Sequence, residues 1–191
     1  MTNRVDSAEE RSVRVPFWDL SRWLGLAAMV GGVLWAIQNV LVLSVEEIRW
    51  TEGVFLIALL LVLAGVFGFH FLQQDRYGPI GRAGLWTIFG ATVIQEVGLL
   101  IFILGDATLF WLVSPVGYVA MIVGYVLLGA ATLQAGVFPR WCGLALLLGE
   151  PVTYLMGDYG GIVFGLMWVA LGYVLWSLRG VSTEQPAPRV R

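Results

Sequence analysis

The chain has 191 residues, of which 59% are hydrophobic and only 13% are charged, and its mean hydropathy is +0.83. Soluble domains carry about 25% charged residues, so this chain has too few of them to cover a water-facing surface. The formal net charge of −2 gives no basic surface for nucleic acid, and we expect no nucleic-acid partner. A single cysteine, Cys142, excludes an intrachain disulfide, and a single histidine, His70, excludes a multi-histidine metal site within one subunit.

Six apolar runs follow one another along the chain. A helix needs about 20 mostly apolar residues to cross the hydrocarbon core of a bilayer, and each run has that length or nearly so. We therefore predict an all-α protein with a bundle of six transmembrane helices in residues 21–179 and the lipid bilayer as its surroundings. The runs are roughly Trp23–Leu43, Gly53–Leu72, Ala83–Leu104, Thr108–Leu133, Phe138–Met156 and Gly160–Leu178.

The two ends of the chain are polar and differ from the apolar region between them. Residues 1–20 are predicted to form a cytoplasmic tail and an interfacial segment. The stretch Val15–Trp23, which continues into the start of the first span, is expected to lie along the membrane surface before the chain turns. Residues 180–191 contain two prolines and two arginines, and they are predicted to form a disordered cytoplasmic tail.

The arginines predict the orientation. Ten of the eleven fall in the tails and in the second and fourth connections, whereas Arg49 is alone on the other side. Cytoplasmic loops retain basic residues, so both termini are expected to lie in the cytoplasm, which agrees with an even number of spans.

A weak internal repeat relates the spans. Arg22-Trp23-Leu24-Gly25-Leu26 matches Arg140-Trp141-Cys142-Gly143-Leu144, and Gly124-Tyr125-Val126-Leu127 recurs as Gly172-Tyr173-Val174-Leu175. The pattern predicts three tandem helical hairpins around a pseudo-threefold axis. Chance matches are also expected among 24 glycines, so both interpretations stay open.

Small residues four apart occur on several spans and favour close helix packing. Such faces let helix backbones approach one another in lipid, either within the molecule or against a homo-oligomer or another membrane protein. The pairs are Ala28/Gly32, Ala64/Gly68, Ala120/Gly124 and Gly161/Gly165.

Two glutamates lie inside apolar runs, Glu96 in the third and Glu150 in the fifth. A charge at the bilayer centre costs at least about 2.5 to 3.5 kcal/mol, so such a residue faces the bundle interior or a hydrated cavity. Pro151 lacks an N–H and frees a backbone carbonyl beside Glu150, as at ion sites on broken helices. A structural role in helix packing is the alternative for both glutamates.

Further polar residues fall at similar depth and predict an outward-facing polar pocket around the glutamates. Ser114-Pro115 in the fourth run is expected to kink its helix, as Pro151 is in the fifth. The predicted ligand or ion site consists of Glu96, Glu150, Gln95, Gln38, Asn39 and Tyr154.

The usual enzymatic signatures are missing. The sequence has no His-Glu-x-x-His, no Gly-x-Ser-x-Gly, no P-loop and no dinucleotide-binding glycine pattern. We therefore predict no catalytic residues, no metal site, no cofactor and no enzyme activity.

The segment Phe138-Pro139-Arg140-Trp141-Cys142-Gly143 resembles the Pro-Arg-Trp-x-Gly start of the penultimate helix in uncharacterised six-span bacterial membrane protein families. The resemblance implies a location in the bacterial cytoplasmic membrane and carries no activity with it. Two functions remain open. The first is binding or transport of a proton, cation or small ligand at the polar pocket, and the second is an accessory or scaffold subunit that packs against another membrane protein.

Overall fold

The computed structural model of the protein describes residues 17–44, 49–105 and 107–177, which form six α-helices and no strand. The all-α prediction is therefore confirmed for this part of the chain. A single 3₁₀ turn, Gly157–Tyr159, joins the last two helices. The α-helices are α1 (Phe17–Ser44), α2 (Arg49–Gln73), α3 (Gly78–Ile103), α4 (Ala107–Ala135), α5 (Arg140–Leu155) and α6 (Gly160–Ser177).

Five of the described helices are long and apolar enough to cross a membrane, which is compatible with a multi-pass membrane protein. They are α1, α2, α3, α4 and α6. The remaining helix, α5, has 16 residues. At 1.5 Å per residue it is about 24 Å long, less than the roughly 30 Å of a hydrocarbon core. The crossing of the membrane by a sixth helix thus stays a prediction.

The start of α1 differs from the expected interfacial segment. The helix is continuous from Phe17 to Ser44, so the chain makes no turn between Phe17 and Trp23. Trp23 is 69% exposed, in agreement with a position at a membrane surface. The remainder of the predicted N-terminal region, residues 1–16, and the predicted C-terminal tail, residues 180–191, lie outside the described residues.

The helices form a ring in chain order, because each packs against the next and α6 packs back against α1. Short connections force antiparallel neighbours. The ring therefore has two ends with different connections. The end that carries Arg22, Arg76, Arg82 and Arg140 is here called the arginine end. The opposite end, where α1 and α5 finish and α6 begins, is called the Ser44 end.

Glycines set the closest helix crossings. A Cβ added to Gly84 of α3 would lie 2.7 Å from the backbone N of Leu128 in α4. A Cβ added to Gly165 of α6 would lie at the same 2.7 Å from the backbone N of Ala36 in α1. At each of these crossings a glycine of one helix packs against a glycine of the other, Gly84 against Gly124 and Gly165 against Gly32.

The hairpin repeat is not confirmed, because the α3–α4 crossing lies within a predicted hairpin whereas the α6–α1 crossing lies between two of them. Gly25, on the first helix of the first predicted hairpin, packs against α6, whereas Gly84, on the first helix of the second predicted hairpin, packs against α4. The repeated tetrapeptides also differ in surroundings, since Tyr125 is buried and Tyr173 is 57% exposed. Equivalent positions in a threefold repeat would have equivalent neighbours.

Aromatic side chains from alternate helices fill the centre of the ring. Trp168 of α6 contacts Tyr125 of α4 and Phe69 of α2, with ring centroids 6.1 and 6.4 Å apart. All three are buried, whereas the outer surface carries large apolar residues such as Val33 and Ile37 of α1. An apolar exterior around an aromatic core is compatible with lipid contact.

Candidate functional site

A cavity of about 240 Å³ opens within the ring toward the Ser44 end. The cavity lies at the C-terminal end of α5, and the last turn of this helix forms part of its wall. Side chains from α1, α2, α4, α5 and α6 also line it. The lining residues are Trp35, Asn39, Phe55, Tyr118, Glu150, Thr153, Tyr154, Gly157, Gly161 and Phe164.

Glu150 is the acidic side chain of this cavity and is only 5% exposed. It lies on α5 five residues before the helix ends. Pro151 supplies no N–H to the carbonyl of Leu147, and the Thr153 hydroxyl donates to the backbone carbonyl of Glu150 at 2.8 Å. The helix continues through Pro151, so the predicted kink stays a prediction.

Asn39 of α1 brings an amide to the same cavity. Its Nδ2 donates to the backbone carbonyl of Trp35 at 2.9 Å and to Gln38 Oε1 at 3.0 Å. Both hydrogen bonds use the NH₂ group, which fixes the orientation of the amide. Gln38 is buried and is not among the lining residues, so it supports Asn39 from behind.

Aromatic rings make up five of the ten lining residues. Trp35 contacts both Phe55 and Phe164, with ring centroids 4.7 Å apart in each pair. The ring centroids of Tyr118 and Tyr154 are 6.4 Å apart. The cavity thus combines aromatic walls with one carboxyl group and one amide.

Gln95 belongs to a smaller adjoining space of about 10 Å³, which it shares with Glu150 and three of the aromatic residues above. This space holds one water at most. Gln95 Oε1 accepts a hydrogen bond from Ser114 Oγ at 3.4 Å, one residue before Pro115 of α4. Like α5, α4 continues through its proline, and the kink predicted there also stays a prediction.

Glu96 lines neither of these spaces. Both of its carboxyl oxygens are buried and have no hydrogen-bond partner among the described residues. It lies two helical turns after Phe89, which contacts Phe67 of α2, so its position on α3 is on the flank next to α2. The sequence predicted one pocket for both glutamates, and the geometry brings only Glu150 together with Asn39, Gln95 and Tyr154.

Among the described lining residues of the cavity, Glu150 is the one with a charged side chain. None of the arginines with a described side chain lines it, because Arg22, Arg76, Arg82 and Arg140 lie at the arginine end. In the described part of the chain there is also no group of three or more His, Cys, Asp or Glu that could hold a metal ion.

A second cavity, of about 310 Å³, lies between α1 and α2 at the arginine end. Its one acidic residue, Asp75, is exposed, and it lacks the converging side chains of several helices that the first cavity has. A binding site generally combines an apolar wall with a few converging polar groups, so the Glu150 cavity is the better candidate.

The aromatic walls were missed in the sequence because every span contains aromatic residues. Two of them could have been found from their spacing to polar residues on the same helix face. Trp35 precedes Asn39 by one helical turn, and Tyr118 follows Ser114 by one turn. Phe55 and Phe164 lie within apolar runs and have no polar neighbour to single them out. Only the packing of α2 and α6 around α1 brings them together.

Comparison of the chain with protein families, with curated proteins and with solved structures gives no match.

Proposed function

We propose that this chain is an integral membrane protein that binds a small cation or proton at the Glu150 cavity and passes it into or across the membrane. The observation that carries the proposal is Glu150 itself. This residue is only 5% exposed, lines a cavity and has no cationic side chain beside it among the described lining residues. A buried carboxylate is costly unless a positive charge accompanies it, and a ligand cation or a proton supplies that charge.

The location and orientation belong to the same proposal. Four of the five arginines in the described residues lie at one end of the ring, with Arg49 at the other, and basic residues are retained on the cytoplasmic side. We place this end and both termini in the cytoplasm of a bacterium, with the Glu150 cavity open to the other side. The resemblance at Pro139-Arg140-Trp141 supports the bacterial membrane, and binding rather than catalysis is the proposed activity.

The accessory-subunit alternative has less support. The predicted small-residue faces are occupied within the ring: Gly32 packs against Gly165, and Gly124 packs against Gly84. Gly68 likewise packs against Leu24 and Leu175. A partner subunit would have to use another surface.

The test is flux of protons and monovalent cations in proteoliposomes. Wild type is compared with Glu150→Gln, which keeps the shape of the side chain, and with Asp75→Asn, which removes a charge at the opposite end. We expect the flux to be lost in Glu150→Gln and kept in Asp75→Asn. Equal flux in both variants, or no flux in folded wild type, would contradict the proposal.

A further inference from the structure

We infer that the Glu150 cavity selects an organic ammonium ion, a positive nitrogen carrying small alkyl groups, over a bare inorganic cation. This inference rests on the proposed function and adds the chemical class of the ligand. It depends on the walls of the cavity rather than on its charge alone.

Among the described lining side chains, only Glu150 offers a charged ligand for a bare metal ion. Hard cations are held by several oxygens, with six to eight around Ca²⁺. The described lining offers one carboxyl group and the Oδ1 of Asn39, together with the hydroxyls of Thr153 and two tyrosines. The other side-chain oxygens are neutral and are spread over α1, α4 and α5. An inorganic ion would keep much of its water in such a site.

The aromatic rings suit an alkylated ammonium ion. Trp35, Phe55 and Phe164 form a contiguous wall, and Tyr118 with Tyr154 adds a second one. Aromatic faces attract ammonium groups through the ring quadrupole, and the interaction strengthens when the cation is desolvated. The alkyl groups gain hydrophobic contact with the same rings, whereas a hydrated metal ion gains none.

The size of the cavity also fits this class. At about 240 Å³ it is smaller than the roughly 300–1,000 Å³ typical of sites for drug-sized ligands, so it suits a molecule of a few heavy atoms. Glu150 at the end of α5 supplies the counter-charge, and Asn39 supplies one fixed amide as a polar contact.

The test measures binding of radiolabelled tetramethylammonium to the full chain in lipid nanodiscs. Competition uses unlabelled tetramethylammonium, KCl and NaCl at equal concentrations, and a neutral alcohol of similar shape, tert-butanol. We expect tetramethylammonium to compete at least tenfold better than K⁺, Na⁺ or the alcohol. The variants are Phe55→Leu, which removes one ring, and Glu150→Gln, which removes the charge. Phe55→Leu is expected to weaken binding by about threefold to thirtyfold, as loss of one cation–π contact does.

The outcomes separate this inference from the proposed function. If K⁺ or Na⁺ competes as well as tetramethylammonium, or if Phe55→Leu binds as wild type does, the ammonium inference is wrong and the Glu150 cation site stands. If Glu150→Gln binds tetramethylammonium as wild type does, both fail. If folded wild type binds none, the ammonium inference is wrong and the flux measurement decides the rest. Tyr118→Leu provides a second ring variant should Phe55→Leu fail to fold.

Discussion

Gly84 lies at one of the closest helix crossings and allows the packing to be tested quantitatively. A Cβ there would lie 2.7 Å from the backbone N of Leu128 and 3.0 Å from the carbonyl oxygen of Gly124. Backbone atoms cannot move aside as a side chain can, so Gly84→Ala must separate α3 from α4. Overpacking of this kind costs about 1–3 kcal/mol.

Gly90 is the matched control, because it lies on the same helix and a Cβ there meets nothing within 4 Å. Both substitutions gain the helix propensity of alanine, up to about 1 kcal/mol, so their difference isolates the overlap with α4. At about 2–4 °C per kcal/mol for a chain of this size, Gly84→Ala should melt about 2–12 °C below Gly90→Ala.

The assay is thermal unfolding of the purified protein in one detergent at one scan rate, since irreversible unfolding makes the midpoint depend on the rate. The melting temperature of Gly165→Ala, at the α6–α1 crossing, should fall by a similar amount. A melting temperature of Gly84→Ala equal to or above that of Gly90→Ala would refute the reasoning about the glycine crossing.

Three further predictions concern buried polar groups away from the cavity. Gln73 Nε2 donates to Thr132 Oγ1 at 2.9 Å, so Thr132→Val leaves this amide unpaired and should lower the free energy of unfolding by about 1–3 kcal/mol. Gln73→Leu should lower it less, because Thr132 still donates to the carbonyl of Leu128. Equal losses in the two variants would contradict this prediction. Glu96→Leu should raise the melting temperature, because the buried carboxyl oxygens have no hydrogen-bond partner among the described residues, and a clear decrease would indicate a partner at that site. Cys142 is fully buried and should react with a membrane-permeant maleimide only after denaturation, so rapid labelling of the folded protein would be inconsistent with this packing.

Much of the fold could be predicted because lipid imposes a simple requirement. Backbone groups must be paired within each spanning segment, so long apolar runs become helices, as they do in α2 and α3. The length of α5 was harder to predict. The apolar run reaches Met156, but Gly157 has a positive φ of 57° and the chain turns there, so the helix ends at Leu155.

The candidate site was predictable only in part. Buried polar residues are rare in apolar runs, so Glu150, Asn39 and Gln95 could be selected by type alone. Which face of a helix meets which neighbour depends on packing across the ring, and this separates Glu96 from Glu150 although the sequence predicts a similar depth for both. The glycine crossings likewise depend on partners far apart in sequence, such as Gly32 and Gly165.

The central claim is that Glu150 holds a cation in a cavity at the Ser44 end. The most direct measurement is an infrared difference spectrum of the protein in nanodiscs, with and without added tetramethylammonium, recorded for wild type, Glu150→Gln and Asp75→Asn. The account predicts a ligand-induced change in a carboxyl band in wild type and Asp75→Asn that is absent in Glu150→Gln. A carboxyl change of the same size in Glu150→Gln, or none in folded wild type with any monovalent cation, would contradict it.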